Sequence, residues 1–113
     1  MNTFHNDQGK NWSKYSIYEQ MANIGAEVGR SINWKKKNNF KMSNNAFYRA
    51  LELIDFTIVD LKNLNRLSEI LRMREIFVDY FMGKNIYHST EINWTKYFYY
   101  FNLAARNQNS KIE

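Results

Sequence analysis

Five cations lie close together in the stretch RSINWKKKNN and just after it. They are Arg30, Lys35, Lys36, Lys37 and Lys41, and no Asp or Glu falls between positions 30 and 41. The chain has a formal net charge of +5, from 16 basic and 11 acidic residues. Outside this window the remaining 11 basic residues balance the 11 acidic ones, so the window accounts for the whole net charge. A positive excess confined to one segment is typical of an anion-binding surface.

The residue types in this window suit a nucleic acid. Lysine and arginine neutralise phosphates, and an aromatic ring can pack beside them or stack on a base. We therefore expect RNA or DNA to contact a basic cluster made of Arg30, Trp34, Lys35, Lys36, Lys37 and Lys41. The same cations can also arise without a binding role. The composition, with 16 Asn, 10 Lys and no Pro, is what an AT-rich genome would encode, and the last turn of a helix favours cations anyway.

Arg74 is the polar residue most out of place in its surroundings. It falls between Leu71 and Phe77, on or beside the apolar stripe of a predicted helix. A buried guanidinium needs a partner, because an unpaired buried charge is costly. Glu52 and Asp55 lie at the edge of the preceding helix's stripe. We predict a structural ion pair that joins Arg74 to these carboxylates.

Catalytic and metal-binding patterns are missing from the sequence. There is no cysteine, and His5 and His88 have no second histidine or helically spaced carboxylate to form a metal site. The four glycines do not give a phosphate-binding loop. The sequence has no Glu-x-x-Glu pair, which argues against a helical nucleotide pyrophosphatase. It also has no Arg followed four to six residues later by His, which argues against a helical RNase. We expect a protein that is not an enzyme and uses no cofactor or metal.

Two further features point to surfaces where helices or partners meet. Gly25 and Gly29 are four residues apart in a predicted helix, where each costs about 1 kcal/mol relative to alanine. They would allow close approach of another helix, from this chain or from a second subunit. In KYFYYFN, five aromatics follow one another, so some of Tyr97, Tyr99 and Tyr100 must point away from the core. Exposed aromatics are typical of interfaces.

Hydrophobic periodicity predicts the elements that position these residues: four amphipathic helices. The first runs from 16 to 37 and starts at the capping box Ser16-Ile-Tyr-Glu19. The others run from a Ser43 cap to about 61, from about 66 to 82 with Gly83 as the stop, and from 89 or 90 to about 106. Short connections favour antiparallel neighbours. We predict an all-α fold, an up-down antiparallel four-helix bundle.

The length of 113 residues fits one domain. We expect an N-terminal tail over 1–15, the bundle over 16–107 and a C-terminal tail over 108–113. The opening MNTFHNDQGKNW has no apolar run, and 18 consecutive apolar residues occur nowhere. We therefore expect no signal peptide, no membrane association and a cytoplasmic location.

Four segments together carry a family resemblance, which covers about residues 12 to 106. They are WSKYSIYEQMANIGAEVGRSINWKKKN, AFYRALELIDFTIVD, RLSEILRMREIFVDYF and WTKYFYYFNLAAR. The chain resembles a family of small, mostly uncharacterised bacterial helical proteins. More distantly, it is similar to the four-helix-bundle proteins of ribosomal RNA intervening sequences and to the accessory variability proteins of diversity-generating retroelements. The last resemblance implies a pentameric barrel that binds a reverse transcriptase and its template RNA.

Three functions are consistent with these observations, and the third of them is a toxin-like RNase that lacks the usual motif. The first is a non-catalytic, oligomeric accessory protein that binds RNA or DNA through the basic cluster and partners a reverse transcriptase. The second is a protein-interaction scaffold without nucleic acid, with Gly25, Gly29 and the tyrosines of the fourth helix at its interfaces.

Overall fold

The computed structural model describes the backbone of residues 11–112 and the side chains of residues 11–108. Within that range, α1 spans Ile17–Lys36, α2 spans Phe40–Ile58, a 3₁₀ helix spans Leu61–Arg66, α3 spans Leu67–Met82 and α4 spans Glu91–Ile112. Residues 11–112 contain no β-strand. The predicted all-α fold with four main helices is confirmed.

The start of α1 follows the predicted capping box. The Ser16 hydroxyl accepts from the backbone N–H of Glu19 at 3.1 Å, and the Ser16 N–H donates to Glu19 Oε1 at 3.0 Å. The apolar side chains that recur along α1 are then buried, and they are Met21, Ile24, Val28 and Ile32. This stripe is the inner face of the helix.

The start of α2 differs from the prediction. The helix begins at Phe40, because its cap is Asn39, four residues before the predicted cap; Asn39 accepts from the Met42 N–H at 3.1 Å. Ser43 is buried instead, and its hydroxyl donates to the backbone oxygen of Ser31 at 2.7 Å. The predicted cap therefore joins α1 to α2. Only residues 37–39 separate the two helices.

The end of α2 also comes earlier than expected. The helix stops at Ile58 rather than near 61, and the 3₁₀ helix follows it. Asp60 starts this turn, since its carboxylate accepts from the Lys62 N–H at 3.2 Å. Hydrophobic periodicity did not indicate the 3₁₀ helix as a separate element.

The folded part of the chain begins before the predicted boundary at residue 16. Trp12 is 2% exposed and belongs to the core. Its indole N–H donates to Thr57 Oγ1 at 2.9 Å, and its backbone oxygen accepts from Gln20 Nε2 at 2.9 Å. Residues 11–15 are therefore not a tail, while residues 1–10 lie outside the described part. At the other end, α4 continues to Ile112, past the predicted boundary at 107.

A polar network surrounds Trp12 at this end of the molecule. Buried Asn63 donates to Gln20 Oε1 at 2.9 Å, and Gln20 also donates to Asp60 Oδ2 at 2.9 Å. Burial by itself raises the pKa of Asp60, but hydrogen bonds from Lys62 and Gln20 outweigh it, so the pKa lies below its ordinary value. The network ties residues 11–15, α1 and the 3₁₀ helix together.

The four helices do not pack equally against one another. α1 packs against α2 and α4, and α2 packs against α3, whereas the backbones of α3 and α4 stay apart along most of their length. Aromatic side chains bridge this wider gap, since the rings of Phe77 and Trp94 are 5.6 Å apart. No helix in the described part of the chain has the length and apolar character needed to cross a membrane.

Candidate nucleic-acid interface

The basic cluster lies around the turn between α1 and α2. Lys35 and Lys36 are in the last turn of α1, Lys37 is its C-cap, and Lys41 is in the first turn of α2. All four lysines are exposed, as is Arg30 one turn earlier on α1. The short connection brings the predicted cations together because it folds the start of α2 back beside the end of α1.

Two of the five cations are already paired with carboxylates. Arg30 Nη1 lies 3.0 Å from Glu27 Oε2, and Lys36 Nζ lies 3.1 Å from Glu91 Oε1 at the start of α4. By contrast, no described residue forms an ion pair with Lys35, Lys37 or Lys41. These three lysines are the part of the cluster whose charge no carboxylate of the described chain offsets.

Aromatic rings hold two of these lysines in place. Lys35 Nζ lies 4.8 Å from the centre of the Phe81 ring on α3, and Lys37 Nζ lies 5.4 Å from the centre of the Trp34 ring. Cation–π contacts of this kind at exposed sites contribute about 0.5–1 kcal/mol each. Trp34 is half-buried and partly covered by Lys37. It therefore positions a cation more than it offers a free stacking surface.

Phe40 is the residue at this site that the sequence analysis missed. Its ring is 56% exposed at the first position of α2, between the capping Asn39 and the cation Lys41. An exposed phenylalanine beside lysines can stack on an unpaired base. Its place between two asparagines and a lysine was the signal that could have identified it.

The backbone adds to the positive potential at this point. The N-terminus of α2 carries the positive end of its helix dipole, and Asn39 is a neutral cap that does not offset it. α1 ends here with its negative end, which Lys35 and Lys36 in the last turn complement. The start of α2 therefore adds to the positive potential of the exposed lysines on both sides of the turn.

The two glycines of α1 have different surroundings. A Cβ atom added to Gly25 would lie 2.7 Å from both Cβ and Cγ of Phe98, so Gly25 allows α4 to approach α1 closely. A Cβ added to Gly29 would meet nothing within 4 Å. Gly25 therefore serves packing within the chain, and Gly29 faces open space.

The three tyrosines of α4 separate into one inward and two outward residues. Tyr97 is half-buried, and its hydroxyl donates to Glu69 Oε2 at 2.9 Å. Burial and this hydrogen bond raise the pKa of Tyr97 well above its ordinary value of 10. Tyr99 and Tyr100 are 57% and 54% exposed. The expectation that some of these rings point away from the core is met by these two.

Arg74 pairs with Asp55, with Nε 2.8 Å from Oδ1. The pair joins α3 to α2 as a structural contact, and Glu52 lies one turn before Asp55 on α2. Arg74 was expected on or beside the apolar stripe, but its side chain is 36% exposed, and that of Asp55, expected at the edge of its stripe, is 54% exposed. Leu71, expected inside, is 47% exposed, and Met73 takes the core position. The stripe of α3 is rotated relative to the prediction, which moves Arg74 outwards.

The described residues hold no group of three or more His, Cys, Asp or Glu side chains that could bind a metal ion. His5 lies outside the described part. Comparison of the chain with models of protein families, with curated proteins and with solved structures finds no match.

Proposed function

We propose that this chain is a non-catalytic accessory protein that binds RNA through the basic cluster. The observation that carries the proposal is that Lys35, Lys37 and Lys41 are exposed, lie within one turn region and have no carboxylate partner among the described residues. They belong to the window that contains the whole net charge of the chain. Phe40 beside them provides a ring for an unpaired base, which favours single-stranded RNA over duplex DNA.

The accessory role includes assembly with proteins. We propose an up-down antiparallel bundle, because the three-residue connection between α1 and α2 forces these helices to reverse direction. The resemblance to accessory variability proteins supports a homo-oligomer with a reverse transcriptase as partner, and we propose a cytoplasmic location for it. The exposed rings of Tyr99 and Tyr100 support a protein-binding surface on α4.

The salt dependence of RNA binding tests which cations contact phosphates. For single strands, each neutralised phosphate contributes about −0.7 to the slope of log affinity against log salt. If only Lys35, Lys37 and Lys41 contact phosphates, the expected slope is about −2. If Arg30 and Lys36 leave their carboxylate partners and join them, the slope is about −3.5.

Two triple variants with the same net charge test the site itself. K35Q/K37Q/K41Q removes the unpaired lysines, and K14Q/K84Q/K96Q removes three exposed lysines elsewhere on the surface. Fluorescence anisotropy with a labelled single-stranded RNA should show binding lost in the first variant and retained in the second, with circular dichroism unchanged in both. Equal affinities of the two variants would mean that binding follows net charge alone and would refute the site. A duplex DNA of the same sequence serves as the competing ligand.

A protein-interaction scaffold is the second candidate, and an exposed apolar stripe on α4 favours it. Ile92, Tyr99 and Leu103 follow at helical spacing and are 65%, 57% and 41% exposed. Light scattering with and without RNA separates the two functions. An oligomer whose mass falls in Y99S/L103S, and which does not bind RNA at low salt, would establish the scaffold and exclude the RNA-binding protein.

A further inference from the structure

A groove lies between α3 and α4, on the side of the bundle where the two helices do not pack closely. Its volume is about 420 Å³, within the range typical of small-molecule sites. The walls are mainly apolar and aromatic, formed by Met73, Ile76, Tyr87, Trp94 and Tyr97. Arg72 also lines the groove. The groove is separate from the basic cluster, since it shares none of its residues.

The aromatic walls are held rigidly by hydrogen bonds and ring contacts. Tyr97 donates its hydroxyl proton to Glu69, and Tyr87 donates its own to Glu75. Trp94 is 5% exposed and packs edge-on against Tyr97, with ring centres 6.3 Å apart. These contacts fix the rings before any ligand arrives, so a planar ring could stack in the groove without ordering the side chains first.

The charge around the groove leaves one cation available. Glu69 accepts from Tyr97 and pairs with Arg66 Nη1 at 3.2 Å, so its negative charge is offset. Arg72 forms no ion pair with any described residue, and its guanidinium lies 5.8 Å from the centre of the Tyr87 ring. A planar guanidinium in this position is suited to a phosphate or carboxylate.

The polar side of the groove offers hydrogen-bond donors. Asn93 uses its Oδ1 to accept from the Thr90 N–H at 3.0 Å, which leaves its amide Nδ2 without a protein acceptor among the described residues. The Ser89 hydroxyl, also in the lining, likewise has no described partner. The Asn93 amide and the Ser89 hydroxyl, beside the aromatic walls, could therefore donate to acceptor atoms on the edge of a planar ligand ring.

We propose that this groove binds a nucleotide, with the base against Trp94 and Tyr87 and the phosphate at Arg72. Asn93 Nδ2 and the Ser89 hydroxyl donate to acceptor atoms on the edge of the base. The same chemistry is present in a free mononucleotide and in an unpaired nucleotide of an RNA strand. The site does not depend on the basic cluster.

Three substitutions test the groove by isothermal titration calorimetry with the four nucleoside monophosphates. R72Q removes the phosphate contact and should weaken binding about tenfold to a hundredfold, as expected for a lost charge-assisted hydrogen bond. N93D keeps the acceptor that caps α4 but removes the amide donor, and it should weaken binding too. R74Q is the matched control, because it removes one cation from α3 at the Asp55 pair, outside the groove, and should bind as the unaltered chain does.

Binding lost in R72Q and N93D but retained in R74Q supports the site. Quenching of Trp94 emission by the nucleotide, abolished in W94F, then places the base in the groove. If only an RNA strand binds with this pattern, the nucleotide is part of RNA. K35Q/K37Q/K41Q should keep mononucleotide binding even where it loses RNA, so the two proposals fail independently. No binding of either ligand, or equal weakening in R72Q and R74Q, would overturn the nucleotide site.

Discussion

Substitution of alanine at each of the two α1 glycines should have opposite effects on stability. Gly25→Ala and Gly29→Ala are the same chemical change in the middle of the same helix, four residues apart. Each replaces glycine with the best helix former, which alone stabilises the fold by about 1 kcal/mol. What differs is the space that the new methyl group meets.

The magnitude follows from those surroundings. At Gly29 nothing lies within 4 Å of the added Cβ, so the full gain of about 1 kcal/mol remains. At Gly25 the Cβ would lie 2.7 Å from Cβ and Cγ of Phe98, and no rotamer change moves the Phe98 Cβ, which is fixed to the backbone. Overpacking of this kind costs about 1–3 kcal/mol, so after the helix gain we expect Gly25→Ala to destabilise by up to about 2 kcal/mol.

Thermal unfolding followed by circular dichroism measures both effects. For 113 residues, an unfolding entropy of about 2.1 cal/mol/K per residue makes 1 kcal/mol equal to about 4 °C in Tm. Gly29→Ala should raise Tm by about 4 °C, and Gly25→Ala should lower it by up to about 8 °C. An equal rise in both variants would show that α4 does not approach α1 at Gly25. A fall in oligomer mass for Gly29→Ala would show instead that a second subunit covers Gly29.

Three further outcomes follow from single contacts. Thr57→Val leaves the buried Trp12 N–H without its acceptor and should cost about 1–3 kcal/mol in urea unfolding, whereas Thr57→Ser should largely retain stability. The pKa of Asp60 is lower in the folded protein than in the unfolded chain, so Asp60 stabilises the fold above its unfolded pKa, and this stabilisation is lost as the pH falls through its folded pKa. Asp60→Asn should therefore make the free energy of unfolding depend less on pH on the acid side, as measured by urea unfolding at several pH values. Arg74→Gln should lower the free energy of unfolding by no more than about 1 kcal/mol, since its ion pair with Asp55 is exposed. A larger loss would mean that the ion pair is shielded from solvent.

The helices were predictable because their signals are local. Ser16 and Glu19 form a capping box within four residues, and the stripe from Met21 to Ile32 repeats at helical spacing. The cations of the basic cluster were found in the same way, since they are close in sequence. Local patterns of this kind depend little on what the rest of the chain does.

The features that were missed depend on contacts between distant residues. No residue near Trp12 in the sequence indicates that its indole N–H will donate to Thr57, so residues 11–15 were predicted to be part of a tail. Ser43 has the side chain of a helix cap, but its acceptor on α1 decides its role. Gly25 and Gly29 have the same sequence pattern, and only the position of Phe98 in the structure shows that Gly25 is packed and Gly29 is not. The α3–α4 groove arises from the distance between these two helices, and hydrophobic periodicity does not predict distances between helices.

The hydrogen bond between Trp12 and Thr57 also sets an order of events during synthesis, because the two residues are 45 positions apart. Trp12 leaves the ribosome well before its acceptor is made, whereas the bonds within α1 are local and can form at once. Residues 11–15 can dock only after the whole of α2 has emerged, when the entropy of closing this long loop can be offset by the core contacts. A nascent chain that ends before Thr57 therefore exposes an indole ring that the folded chain buries.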